Sequence, residues 1–258
     1  MQNHSNLSNN SLRSGGIQDS AEKKISPEER LIVALDYSSW EEAEKLVRQL
    51  PEVRFFKVGL ELYLASKGQA VGKLKELGKE VFLDLKFHDI PNTVGRACRQ
   101  AVEQGAAIFN LHASGGRQMM LQGIKSARER AAKLGIPMPL VIAVTVLTSM
   151  DEQALKEIGL KDVEKTVINF ARLAEETGMD GVVASPQEVA LIRKYCGSDF
   201  KIICPGIRPE WAATNDQKRI TTPQEAIRLG ADYLVVGRPI TAAADPRQAA
   251  LRVLEEIK

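Results

Sequence analysis

Residues that announce a chemistry outright are scarce in this chain. Its three cysteines, Cys98, Cys196 and Cys204, are odd in number and lack a C-x-x-C spacing. That excludes a disulfide framework and a thiolate zinc site, and it points to a reducing compartment, the cytoplasm. Only three histidines occur, with no H-x-x-E or H-x-H pair, so no metal ion is called for. No apolar run approaches the length of a membrane span. A net charge of +2, with Lys and Arg scattered rather than clustered, gives no footprint for nucleic acid or an anionic membrane. No G-x-G-x-x-G follows the first apolar run, which removes the usual dinucleotide-binding fold.

What is present is an ordinary globular composition, 44% hydrophobic and 26% charged over 258 residues, enough for one large core. Residues 1–26 stand apart. They are rich in Asn, Ser and Gly and lack the apolar segment of a secretory signal, so they read as a disordered polar leader. An Arg- and Ser-containing organelle presequence is the second reading, although Arg13 is the only Arg before Arg30.

From Pro27 onward, short apolar runs alternate with segments of helical spacing. Strands are expected at Leu31–Leu35, Arg54–Val58, Val81–Leu85, Ala107–Leu111, Leu140–Leu147, Gly181–Ala184, Lys201–Cys204 and Asp232–Val236. Helices are expected between them, near residues 40–50, 61–77, 92–104, 117–134, 151–158, 162–177, 186–195, 223–229 and 246–257. A long irregular stretch is expected from Pro205 to Ile220. Eight strand–helix units without a second composition regime predict a single parallel (β/α)₈ barrel over residues 27–258.

Reactive groups in such barrels sit at the carboxyl ends of the strands. The residues closing the expected strands are Asp36, Lys57, Asp84 with Lys86, His112, Thr148, Ser185, Pro205, and Gly237 with Arg238. Each has a plain explanation alone: Asp36 as a turn acid, Lys57 as a snorkelling lysine, His112 as a hydrogen-bonded structural histidine. Aimed into one mouth, they read as a site. The densest group is Asp84, Lys86 and Asp89. Asp84 and Lys86 project to one side of an extended chain, and Asp89 follows before Ile90-Pro91 ends the run. A bare D-x-K-x-x-D is equally a surface ion-pair cluster at a strand-to-helix turn. At the eighth strand, Val235-Val236-Gly237-Arg238-Pro239 brings a backbone N–H without a Cβ beside a guanidinium, an arrangement suited to phosphate. The seventh loop, Pro205-Gly206-Ile207-Arg208-Pro209 through Gln217, is longer than connection requires.

The wording Asp84-Leu-Lys86-Phe-His-Asp89-Ile90-Pro-Asn-Thr93-Val resembles the signature of the orotidine 5′-phosphate decarboxylase family in its compact bacterial form. Asp36, Lys57, the run ending in Thr148, Pro205-Gly-Ile-Arg208-Pro and Gly237-Arg238-Pro-Ile extend the resemblance over nearly the whole folded chain. The resemblance implies a cofactor-free and metal-free lyase that converts orotidine 5′-phosphate to uridine 5′-phosphate and carbon dioxide in pyrimidine biosynthesis. It implies Asp84 against the scissile carboxylate, Lys86 as proton donor to C6, and Lys57 tying Asp84 into a chain of charges. Asp36 and Lys57 would hold ribose hydroxyls, and Thr148 would hydrogen-bond the pyrimidine. Gly237, Arg238 and Gln217 would bind the phosphate, with Arg208 and Gln217 closing over phosphate and base. Ile90 and Pro205 count among the substrate-binding residues. Asp89 and Thr93 would reach into the neighbouring subunit's site, making the working unit a homodimer. Two alternatives share the barrel. Metal-dependent sugar-phosphate decarboxylases and hexulose-phosphate synthases resemble the chain only at the Asp84–Lys86–Asp89 triad, carry an acidic second-strand residue where this chain has Lys57, and lack the Ile-Pro-Asn-Thr extension. A non-catalytic pyrimidine-nucleotide-binding barrel is the other.

Overall fold

The architecture follows from strands that are apolar on both faces. In the computed structural model, which describes residues 25–212 and 221–258, eight parallel strands close in sequence order into a barrel. They are β1 (Leu31–Leu35), β2 (Phe55–Gly59), β3 (Glu80–Phe87), β4 (Ile108–His112), β5 (Leu140–Val144), β6 (Gly181–Val183), β7 (Lys201–Cys204) and β8 (Tyr233–Val236). The register of β1 on β8, with Ile32 opposite Val235, completes the closure.

Alternation along each strand divides the core into two layers. Ile32, Ala34, Phe55, Phe82, Ile108, Ile142, Ile203, Tyr233 and Val235 fill the barrel interior. Their neighbours in sequence, among them Leu31, Val33, Phe56, Val81, Leu83, Phe109, Leu111 and Val236, pack outward against the helices. Both faces being buried, these strands read as continuous apolar runs rather than alternating ones. This two-layer division fixes the site. Two residues beyond the interior layer, on the same face, stand Asp36, Lys57, Asp84, Asn110, Val144, Pro205 and Gly237.

The helices begin where short polar side chains can accept orphan N–H groups. Ser39, Asp151, Asp162, Thr222 and Asp245 each accept from the backbone N–H three residues on. Gly135 and Gly230, with φ of 65° and 108°, end the helices Gly116–Leu134 and Pro223–Leu229 in the left-handed conformation that glycine adopts at little cost. Several strand ends move by a single residue, and three departures from the sequence expectation are larger. The helix expected near 61–77 is two, Leu60–Ala65 and Ala70–Glu76. It is broken where Gly68 turns left-handed and its N–H reaches back to the Tyr63 carbonyl at 2.7 Å. The fifth strand stops at Val144 instead of Leu147, because the Thr145 N–H and hydroxyl both turn to the Val183 carbonyl. The third strand runs on to Phe87 through an irregularity described below.

At the amino-terminal edge, Ser26 caps the short helix Pro27–Arg30, and Ile25 packs against the interior layer. Residues 1–24 of the expected leader lie outside the described residues, as does Gln217 of the seventh loop. No helix among the described residues is long and apolar enough to cross a membrane.

Candidate active site

At the mouth of the barrel the strand ends link four charged side chains in a row. Lys57 Nζ lies 2.9 Å from Asp36 Oδ1 and 3.6 Å from Asp84 Oδ2, and Lys86 Nζ lies 2.7 Å from Asp84 Oδ1. The order Asp36–Lys57–Asp84–Lys86 alternates in sign from β1 through β2 to β3. Asp84 and Lys57 are nearly buried, with side chains 13% and 12% exposed, whereas Asp36 is 64% exposed. The Asp36–Lys57 pair is therefore the most screened by water and the Lys57–Asp84 pair the least, with Lys86 between them in exposure at 31%.

Gly59 leaves room for the close approach across β1 and β2. A Cβ there would lie 3.1 Å from Lys57 Nζ and 3.7 Å from Asp36 Oδ1, crowding the bond between them. Gly237 borders the same corner, since a Cβ on it would lie 3.9 Å from Asp36 Oδ2. The top of β8 and the Asp36 end of the charge chain thus meet.

The third strand does not run as a regular ladder here. Leu83 pairs with Phe109 and Phe87 with Leu111, so Asp84, Leu85 and Lys86 stand opposite the single residue Asn110. Lys86 takes up the excess at φ 52°, a left-handed conformation that costs a non-glycine residue about 1–2 kcal/mol. Simple alternation puts Asp84 and Lys86 on one side; their contact comes instead from a bulge that folds the lysine back over the aspartate.

Asp84, Lys86 and Lys57 line a cavity of about 140 Å³ together with Phe82, Val144, Val146, Leu147, Thr148, Val183, Pro205 and Val235. Thr148 reaches it from the loop beyond β5, and Pro205 from just beyond β7. A cleft of about 360 Å³ is lined by Arg208 and Arg238 together with Trp211 and Pro239. Trp211 Nε1 donates to Glu256 at 2.7 Å, and the Arg208 N–H donates to the Thr221 carbonyl at 3.1 Å, so the base of the seventh loop is tied at two points. A larger cleft of about 800 Å³ lies on the other side of Val146–Thr148. Its charged residues are Asp151, Glu152, Glu164, Glu188 and Lys194, a mostly anionic lining unsuited to a phosphate ester.

Asp89, Ile90 and Thr93 are not part of this mouth. All three are exposed, and Asp89 Oδ1 accepts the N–H of Ile90 at 2.6 Å instead of joining Lys86. The grouping is thus one carboxylate between two ammonium groups, with the second carboxylate outside. Among the described residues, no group of three or more His, Cys, Asp or Glu is placed to hold a metal ion.

His112 stacks near His88 with ring centroids 5.4 Å apart. Burial, with His88 and Lys86 adding to it, pushes the His112 imidazole below its ordinary range. Such a ring is neutral at neutral pH. Two residues that sequence reading passed over belong to the site. One is Gly59. The other is Asn110, fully buried, whose side chain meets both Asp84 and Lys86. The signal for Asn110 was available: it is the one polar residue inside Ile108–Leu111, two positions beyond an interior isoleucine. Looking only at the residue that closes the strand selects His112 instead.

Comparison with known proteins shows the family. Residues 29–253 match the model of the orotidine 5′-phosphate decarboxylase / HUMPS family. The orotidine 5′-phosphate decarboxylase of Syntrophomonas wolfei is 49% identical over 235 residues, 90% of this chain and 98% of that one. That of Moorella thermoacetica is 50% identical over 238 residues, 91% of this chain and 94% of that one. The crystal structure of orotidine 5′-phosphate decarboxylase from Lactobacillus acidophilus superposes with a TM-score of 0.79 at 35% identity, covering 88% of this chain and 98% of that one. The family match and these identities, on the barrel fold, show that the chain belongs to the orotidine 5′-phosphate decarboxylase / HUMPS family.

Proposed function

We propose that this chain decarboxylates orotidine 5′-phosphate to uridine 5′-phosphate without a cofactor, with Lys86 delivering the proton to C6. The observation that carries the reading is the row Asp36–Lys57–Asp84–Lys86 at one cavity. Removing carbon dioxide from the orotate ring leaves an electron pair at C6 that no adjacent carbonyl delocalises well. Fixed charge is what these residues offer in place of an electron sink.

In the proposed complex the substrate carboxylate sits against Asp84. At ~4 Å and an effective dielectric near 20, one like-charge contact is worth about 4 kcal/mol. Its relief as carbon dioxide departs corresponds to roughly a thousandfold in rate. Lys86 acts at the same moment, because its attraction grows as charge concentrates on C6, and the same ammonium then yields its proton there. Asp36 and Lys57 hold the ribose hydroxyls and Thr148 the base. The 140 Å³ beside Lys86 suits a ring rather than a whole nucleotide, so the phosphate extends toward Gly237 and the cleft lined by Arg208 and Arg238. The resemblance assigns Gln217, which lies outside the described residues, to the phosphate as well. Contacts to the phosphate, remote from the bond that breaks, align the ring and favour the transition state.

The working unit in this reading is a homodimer in which Asp89 and Thr93 complete the neighbour's site. Their outward placement supports it. So does the exposure of apolar residues that follow three consecutive strands: Leu60 and Leu64 after β2, Ile90 after β3 and Leu121 after β4.

The test is direct. Purified protein given orotidine 5′-phosphate should bleach the orotate absorbance and release uridine 5′-phosphate at the same rate with and without a chelator. Activity abolished by chelator and restored by a divalent cation on a sugar phosphate would assign the metal-dependent branch of the family instead. Tight binding of uridine 5′-phosphate with no turnover would leave a nucleotide-binding barrel.

A further inference from the structure

The two extra residues of β3 need something opposite them, and what stands there is a buried carboxamide. Asn110 Nδ2 donates to Asp84 Oδ1 at 2.6 Å, and Asn110 Oδ1 accepts the backbone N–H of Lys86 at 2.8 Å. Asn110 has no solvent exposure. Its donor fixes the carboxylate, and its acceptor fixes the backbone of the residue carrying the ammonium. One planar group thus sets the positions of both charged residues relative to each other. Neither bond belongs to the β3–β4 ladder, which is interrupted at this point.

We propose that Asn110 is a positioning residue for the decarboxylation assigned above, on which this inference rests. It holds Lys86 in its left-handed backbone conformation and turns one Asp84 oxygen toward Lys86, leaving the other toward Lys57. The Lys86 N–H, displaced by the bulge, would otherwise lack a partner, and a left-handed lysine persists only where its surroundings over-determine it. Without the carboxamide, three backbone residues opposite one can relax to a less bulged strand, and Lys86 swings away from Asp84. The titratable groups around the position are Asp84 and Lys86 on β3, Lys57 on β2 beyond Asp84, and His112 two residues along β4.

Two variants test this, measured beside the wild type. Asn110→Ala removes both bonds and leaves a small void. Its kcat for orotidine 5′-phosphate should fall about a hundredfold, the size of effect expected when a reacting group is misplaced by about 1 Å, with KM nearly unchanged. Asn110→Asp keeps the shape and the acceptor but replaces the donor facing Asp84. It should be poorly active at neutral pH and recover toward the wild-type rate as pH falls, because the introduced carboxyl, once protonated, donates to Asp84 again. A residue that merely fills space would lower thermal stability in both variants without a kcat-specific loss or a shifted pH profile. Crystal structures of the variants supply a readout that needs no activity: Lys86 should leave φ near 52° and its Nζ should part from Asp84 in Asn110→Ala. Wild-type kcat in Asn110→Ala, or an unmoved Lys86–Asp84 contact in whichever variant folds, overturns the proposal. A wild type inactive on orotidine 5′-phosphate with Lys86 displaced in the variant would overturn the function and leave the positioning role standing.

Discussion

Lys86 carries two burdens that are separable by experiment. Its backbone sits in a left-handed conformation, and its ammonium makes a 2.7 Å ion pair at a partly open mouth. The side chain is 31% exposed and contributes nothing to either core layer. Lys86→Ala should therefore keep the barrel folded, with thermal unfolding close to wild type, while removing the proton donor and the charge that meets the developing carbanion. A loss of more than about a thousandfold in kcat is expected from an interaction of this size. Activity within tenfold of wild type would show that another group delivers the proton. Asp84, Lys57 and Asp36 were all readable as strand-end polar residues. Asn110 was visible as the one polar residue inside an apolar strand, but its role and that of Gly59 were not, because those roles consist of distances to residues on other strands.

At the level of elements, most helices and strands could be read from caps, glycines and apolar runs, each to within a residue or two. The β3 bulge could not. Its sequence, Val81-Phe-Leu-Asp84-Leu-Lys86-Phe87, is indistinguishable from a regular strand, and only pairing with β4 shows three residues facing one. A second such fact is the spacing of β6 and β7. A Cβ on Gly181 would lie 2.0 Å from the Lys201 carbonyl oxygen, and that oxygen belongs to backbone that cannot swing aside. Gly181→Ala should force the two strands apart and destabilise the barrel by about 3 kcal/mol. In a chain of this size, that lowers the midpoint of thermal unfolding by about 6–12 °C, as calorimetry would record. An unchanged midpoint would mean that β6 shifts along β7 at little cost. Because β6 lies across the barrel from β2 and β3, the surviving protein should still bind uridine 5′-phosphate.

For the molecule as a whole, the proposed dimer makes the site a shared property. Ile90 is 67% exposed between Asp89 and Thr93, an apolar residue on the turn proposed to face the partner. Ile90→Asp introduces a charge that an apolar interface cannot solvate. The wild type should sediment at twice the 28.4 kDa chain mass. The variant should shift to the monomer, and its specific activity should fall on dilution. A wild type that is fully active as a monomer would remove Asp89 and Thr93 from the catalytic unit.

By itself the sequence determined the fold class and which strand ends carry charge. Both depend on local periodicity, on eight apolar runs and on caps, which the chain states residue by residue. The tertiary structure alone decided which of those charges meet. Asp84 falls between two lysines while Asp89 stays outside, and a buried asparagine, unremarked in its own strand, faces the bulge that brings Lys86 back to Asp84. The physical reason is that register and closure set distances between strands. Those distances are fixed only when every strand has packed on both its neighbours.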